Sequence, residues 1–96
     1  MRINAEQQDL IREVVAAITE PSVRIYVFGS RLNDDARGGD LDLLLESETR
    51  ISLLQRARLK LTLETRLAMP VDIVSMQRGA AQTAFQIIAH RQGVLL

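Results

Sequence analysis

Ninety-six residues, 47% hydrophobic and with aromatics limited to Tyr26, Phe28 and Phe85, describe one small domain spanning 1–96 whose core must come from Leu, Ile, Val and Ala. The absence of cysteine excludes disulfides and thiolate metal sites. Twelve basic and twelve acidic residues cancel to a formal charge of zero, which argues against direct nucleic-acid binding, since dedicated binders carry a basic excess.

In chain order, Leu10, Ile11, Val14, Val15 and Ile18 recur at helical spacing and predict an amphipathic helix from Asn4 to Thr19, stopped by Pro21. "SVRIYVF" sets Val23, Ile25 and Val27 against Arg24, Tyr26 and Phe28, the alternation of a strand. Gly29 to Gly39 reads as a loop from its Gly, Asn and Asp content, with Asp34 and Asp35 as turn residues. "DLDLLLE" is a second strand. "SLLQRARLKLTLETRLA" predicts a second helix with a broad apolar surface (Leu53, Leu54, Ala57 and Leu61, with Leu59, Leu63 and Leu67 beside them), and Ser52 can cap its start. Pro70 ends it, "VDIVSM" is a third strand, and "AAQTAFQIIAHRQ" a third helix. After Gly93, "VLL" is a tail or short last strand.

The expected fold is therefore α/β (α+β): a small mixed sheet with helices packed on one face, in the order helix, strand, strand, helix, strand, helix. The amino-terminal "MRINAEQQDLIREVV" lacks the long apolar core of a signal peptide, and no stretch approaches a membrane span, so a cytoplasmic location is expected. Met69 and Met76 read as core filler, Tyr26 as packing, and His90 as a surface or capping residue.

The chemistry concentrates around "FGSRLNDDARGGDLDLLLE". On a strand, side chains two apart share a face, so Asp40 and Asp42 point the same way, about 7 Å apart at their Cα atoms, while Leu41, Leu43 and Leu45 face the core. Two carboxylates so close repel unless a cation lies between them. Arginine can pair them; a hard divalent cation satisfies several carboxylate oxygens at once. Asp72, on the next strand, makes a third acid, and three acids can hold one or two magnesium ions with positions left for phosphate oxygens. Gly29-Ser30, directly after a strand, lets backbone amides and a hydroxyl approach an anion. Arg31 and Arg37 can meet phosphate charge, and eleven of the twelve cations are arginine, the side chain suited to forked phosphate recognition.

Gly29-Ser30, nine residues, Asp40-Leu41-Asp42, then Asp72 on a later strand resembles the nucleotidyltransferase superfamily of the DNA polymerase beta type. "FGSR…ARGGDLDLLLE" in so short a chain is similar to the minimal nucleotidyltransferases, antitoxins to HEPN-domain ribonuclease toxins encoded beside them. The resemblance implies that Gly29, Ser30 and Arg31 hold the triphosphate of ATP. It also implies that Asp40, Asp42 and Asp72 are catalytic and bind two magnesium ions, with Asp72 helping to deprotonate the acceptor. The implied reaction is transfer of AMP from ATP to a tyrosine hydroxyl of the toxin, in a hetero-oligomer with it. The loop departs from the commonest family form in carrying "LNDDARGGD" before the first acid. The alternative is a non-catalytic antitoxin that neutralises the toxin by stoichiometric binding.

Overall fold

The computed structural model describes residues 2–32 and 39–96. The elements are α1 (Ala5–Ile18), β1 (Arg24–Phe28), a 3-10 turn (Gly29–Leu32), β2 (Leu41–Ser47), α2 (Leu53–Leu67), β3 (Val71–Gln77), α3 (Ala84–Gln92) and β4 (Val94–Leu95). The strands form one mixed sheet in the order β3-β2-β1-β4. β1 runs antiparallel to β2 and β4, while β2 and β3 are parallel, because the α2 crossover returns the chain to the end where β2 began. The short last strand is β4.

Each helix begins with the same device. The side chains of Asn4, Ser52 and Thr83 accept from the backbone N–H of Gln7, Gln55 and Gln86, and each glutamine side chain accepts in return from the cap's own N–H. These reciprocal boxes satisfy amide donors that the first turn leaves without partners. The third box starts α3 at Ala84, later than the expected "AAQTAFQ" beginning, and leaves Ala80–Gln82 outside the helix.

Two clusters hold the domain. On one face, α1 supplies Ile11, Val14 and Val15 and α2 supplies Leu59, Leu63 and Leu67; these meet Ile25, Val27, Leu41, Leu43, Leu45 and Val71 from the sheet. On the other face, Leu44 and Met76 are buried with Ala89 of α3, and Tyr26, Phe28 and Val74 pack around them. The expected layer of helices on one face is thus made by α1 and α2, while α3 crosses the opposite face. The uninterrupted Leu43-Leu44-Leu45 run requires it, since a strand buried on both faces needs cover on both. Met76 is buried in the second cluster, and Met69 packs against the first. Leu53, Leu54 and Leu61 stand outside both clusters, 75%, 70% and 69% exposed.

At the far end of β2, Glu46 is buried with only 6% of its surface exposed. Arg78 Nε donates to its Oε1 at 2.9 Å, and Arg24 and His90 lie 3.6 Å from its two oxygens. Arg78 also reaches Glu48 at 3.0 Å and the Ser22 carbonyl at 2.8 Å, so one guanidinium ties together the ends of β2 and β3 and the entry to β1. His90 stands edge-on to Tyr26, ring centroids 4.8 Å apart. A buried carboxylate stripped of its main partner is costly. Arg78→Met is therefore expected to lower the melting temperature by several degrees, checked by thermal denaturation, whereas exposed Arg58→Met leaves it nearly unchanged.

Candidate active site

The site forms where β1 ends and β2 and β3 begin. Register places Asp42 beside Phe28 on one side and beside Asp72 on the other. Paired residues of neighbouring strands share a face at about 4.8 Å strand spacing, so Asp42 and Asp72 project side by side from the α3 face. Asp40 immediately precedes β2. Asp40 and Asp72 are exposed and Asp42 is half-buried.

Their electrostatics bear the mark of crowding. The Asp40 carboxyl is raised above its ordinary range by a hydrogen bond with Asp72 first, then by desolvation and the Asp72 charge, with Lys60 pulling the other way. Asp42 is raised by burial first, then by the charges of Asp72 and Asp40. Asp40 is thus raised chiefly by its closeness to Asp72, and Asp42 chiefly by burial with like charge added.

Gly29 closes against them. Its φ of +75° lies in the left-handed region, and a Cβ built there would sit 2.2 Å from Asp42 Oδ2. Glycine satisfies both demands together, a backbone turn that L side chains rarely adopt and contact between main chain and carboxylate. The backbone of Ser30 continues the 3-10 turn; its side chain lies outside the described residues, as do Asp34, Asp35 and Arg37. Arg31 Nη2 donates to the Gly39 carbonyl at 3.1 Å, bracing the two sides of the loop, and the Arg2 N–H donates to the Arg31 carbonyl. Among the described residues, the buried Arg31 Nε has no hydrogen-bond partner.

One neighbour was not singled out by the sequence reading. Lys60 Nζ, on α2, donates to the Val71 carbonyl at 2.7 Å and lies 3.3 Å from Glu64 Oε2 and 3.8 Å from Asp72 Oδ1. Glu64 in turn accepts from the Val71 N–H at 2.9 Å, which together with Lys60 holds its carboxylate below the ordinary range. The pair clamps the start of β3 and sets a positive charge beside the third acid. The available signal was that Lys60 is the chain's single lysine. His90, by contrast, belongs to the Glu46 cluster.

Among the described residues, no three His, Cys, Asp or Glu side chains already enclose a metal position. The donor set nevertheless fits a hard divalent cation: the oxygens are all carboxylate, and their repulsion adds to the hydrogen bond and the burial that raise Asp40 and Asp42 above the ordinary range.

Residues 7–96 match the family described as polymerase beta, nucleotidyltransferase, and the chain belongs to it. A solved structure described as that of a "putative minimal nucleotidyltransferase" shares 37% sequence identity and a TM-score of 0.67, with 98% of this chain and 97% of that chain covered. No curated protein matches. The class of fold and the class of transferase are thereby fixed together: a helix-covered mixed sheet of the nucleotidyltransferase kind. Among the described residues, no helix is long and apolar enough to cross a membrane.

Proposed function

We propose that this nucleotidyltransferase is an antitoxin that transfers AMP from ATP to a tyrosine hydroxyl of a HEPN-domain ribonuclease toxin. The observation that carries this reading is the side-by-side register of Asp42 and Asp72, with Gly29 pressed against the former. Asp40, Asp42 and Asp72 would hold the magnesium, which supplies neutralisation of the phosphate charge and a more acidic acceptor. The amides of the Gly29-Ser30 turn would face the triphosphate, and Arg31 Nε, without a hydrogen-bond partner among the described residues, supports anion binding there.

The acceptor oxygen attacks the α-phosphorus, forming the new O–P bond. The bond from that phosphorus to the bridging oxygen breaks, and pyrophosphate leaves with the electron pair. Asp72 accepts the hydroxyl proton and passes it to solvent. Occlusion of the toxin by binding alone is the second reading, favoured by the exposed Leu53, Leu54 and Leu61.

Incubation with the toxin encoded beside it, magnesium, and ATP labelled at the α-phosphate tests both. Label on a toxin tyrosine, lost in Asp40→Asn/Asp42→Asn together with neutralisation, is the expected result. Neutralisation that survives in the double variant without label assigns occlusion instead.

A further inference from the structure

We infer that the free edge of β3 is the docking rail for the acceptor, and that it takes an extended, acidic, hydroxyl-bearing segment of the partner as an added strand. The inference rests on the reading of the site as a transferase for a protein hydroxyl.

β3 is an edge strand, and its backbone parity is fixed at both ends. The Leu41 N–H donates to the Pro70 carbonyl at 2.9 Å and the Arg78 N–H to the Ser47 carbonyl at 2.8 Å. Even-numbered positions therefore turn their backbone groups toward β2, and Val71, Ile73, Ser75 and Gln77 turn theirs outward. At Val71 the outward pair is closed by Glu64 and Lys60. The Ser75 carbonyl accepts from Gln86 Nε2 at 3.1 Å and the Gln77 carbonyl from the Ala80 N–H at 3.2 Å. Among the described residues, this leaves the N–H groups of Ile73, Ser75 and Gln77 and the carbonyl of Ile73 without hydrogen-bond partners. An unpaired row of this kind is a template for strand addition.

The surroundings specify the occupant. Two grooves of about 310 and 360 Å³ border this edge, sharing Leu53 and Arg56. Three cations, Arg50, Arg56 and Lys60, line them against one acid, Asp72. A second copy paired about a twofold axis would face the same cations toward one another, whereas an acidic segment complements them. The closed end at Val71 limits pairing to the stretch from Ile73 onward. An added strand that runs one residue past its Ile73 partner sets that residue beside Asp72, on the same face, at about 5 Å. A hydroxyl at that position arrives beside the acid assigned to accept its proton.

The test uses the whole protein and two probes, a random poly(Glu,Tyr) copolymer and poly(Lys,Tyr), without nucleotide. Amide exchange followed by NMR is expected to slow at Ile73 and Ser75 with poly(Glu,Tyr) and not with poly(Lys,Tyr). Ser75→Pro removes an outward N–H without touching the β2 ladder, and Arg56→Glu reverses the groove charge. Each is expected to weaken poly(Glu,Tyr) binding about tenfold or more while keeping the melting-temperature gain given by magnesium and ATP. Should Ser75→Pro not fold by circular dichroism, Arg56→Glu carries the test. Unchanged exchange at Ile73 and Ser75, equal binding by Arg56→Glu, or protection that follows protein concentration alone (a second copy on the edge) overturns the inference. Label transfer to tyrosine without protection of β3 overturns the docking and leaves the proposed transferase standing; protection without transfer does the reverse.

Discussion

Asp42→Asn is expected to lower the proposed AMP transfer by about 10²–10³-fold or more, and at the same time to raise the melting temperature of the protein without added metal by a few degrees. The two effects have one source. Burial and the charges of Asp72 and Asp40 raise the Asp42 carboxyl above its ordinary range. A group whose folded value is raised contributes stability below its unfolded value and loses that contribution as pH rises through the folded one. At neutral pH the ionised Asp42 is thus a net burden on the fold, and the neutral isostere removes it. A pH series should show the wild-type protein losing stability relative to Asp42→Asn as pH climbs above about 4. Magnesium should raise the melting temperature of the wild type, by the mass action of binding only the native state, and raise that of the variant far less. A variant that melts lower than wild type at neutral pH would contradict the crowding of charge at this site.

Gly29→Ala is expected to cost both stability and activity. The left-handed φ of +75° charges an L side chain about 1–2 kcal/mol, and the added methyl also meets Asp42 Oδ2 at 2.2 Å, so the carboxylate must move. Loss of transfer should persist at temperatures where the variant remains folded, which separates displacement of the acid from general unfolding. A double-mutant cycle gives the mechanism directly. Where Asp42→Ala has already removed the carboxylate, Gly29→Ala should cost only the backbone strain, and the two changes should be non-additive. Strict additivity would mean that the methyl finds room elsewhere.

The acids were legible in the sequence because strand parity is short-ranged: Asp42 opposite the face of Leu41, Leu43 and Leu45 follows from alternation alone. The cover over both faces was also written in the Leu43-Leu44-Leu45 run, although the expected layering placed every helix on one side. Within α2 the pattern could not choose a face, since leucine occurs at 53, 54, 59, 61, 63 and 67, and packing against α1 selects Leu59, Leu63 and Leu67. What depends on distant partners stayed hidden. Glu46 and Arg78 are 32 residues apart, Lys60 meets Asp72 only through the crossover, and nothing local reveals that Asp42 presses on Gly29. The glycine expected to let an anion approach the backbone is also a steric requirement of the acid thirteen positions later.

The way α3 lies on the sheet has a consequence for how the catalyst treats water. Ala89 is the one buried hydrophobic of that helix, Phe85 and Ile88 remain 57% and 54% exposed although the Phe85 ring meets Phe28 edge-on, and Asp40 and Asp72 are themselves exposed. Among the described residues nothing roofs these acids, so in the proposed transferase solvent competes with the intended nucleophile. On the proposed reading, dryness is delivered by whatever brings the hydroxyl, so the substrate finishes the reaction chamber as it enters, and idle turnover against water sets the background over which recognition has to rise.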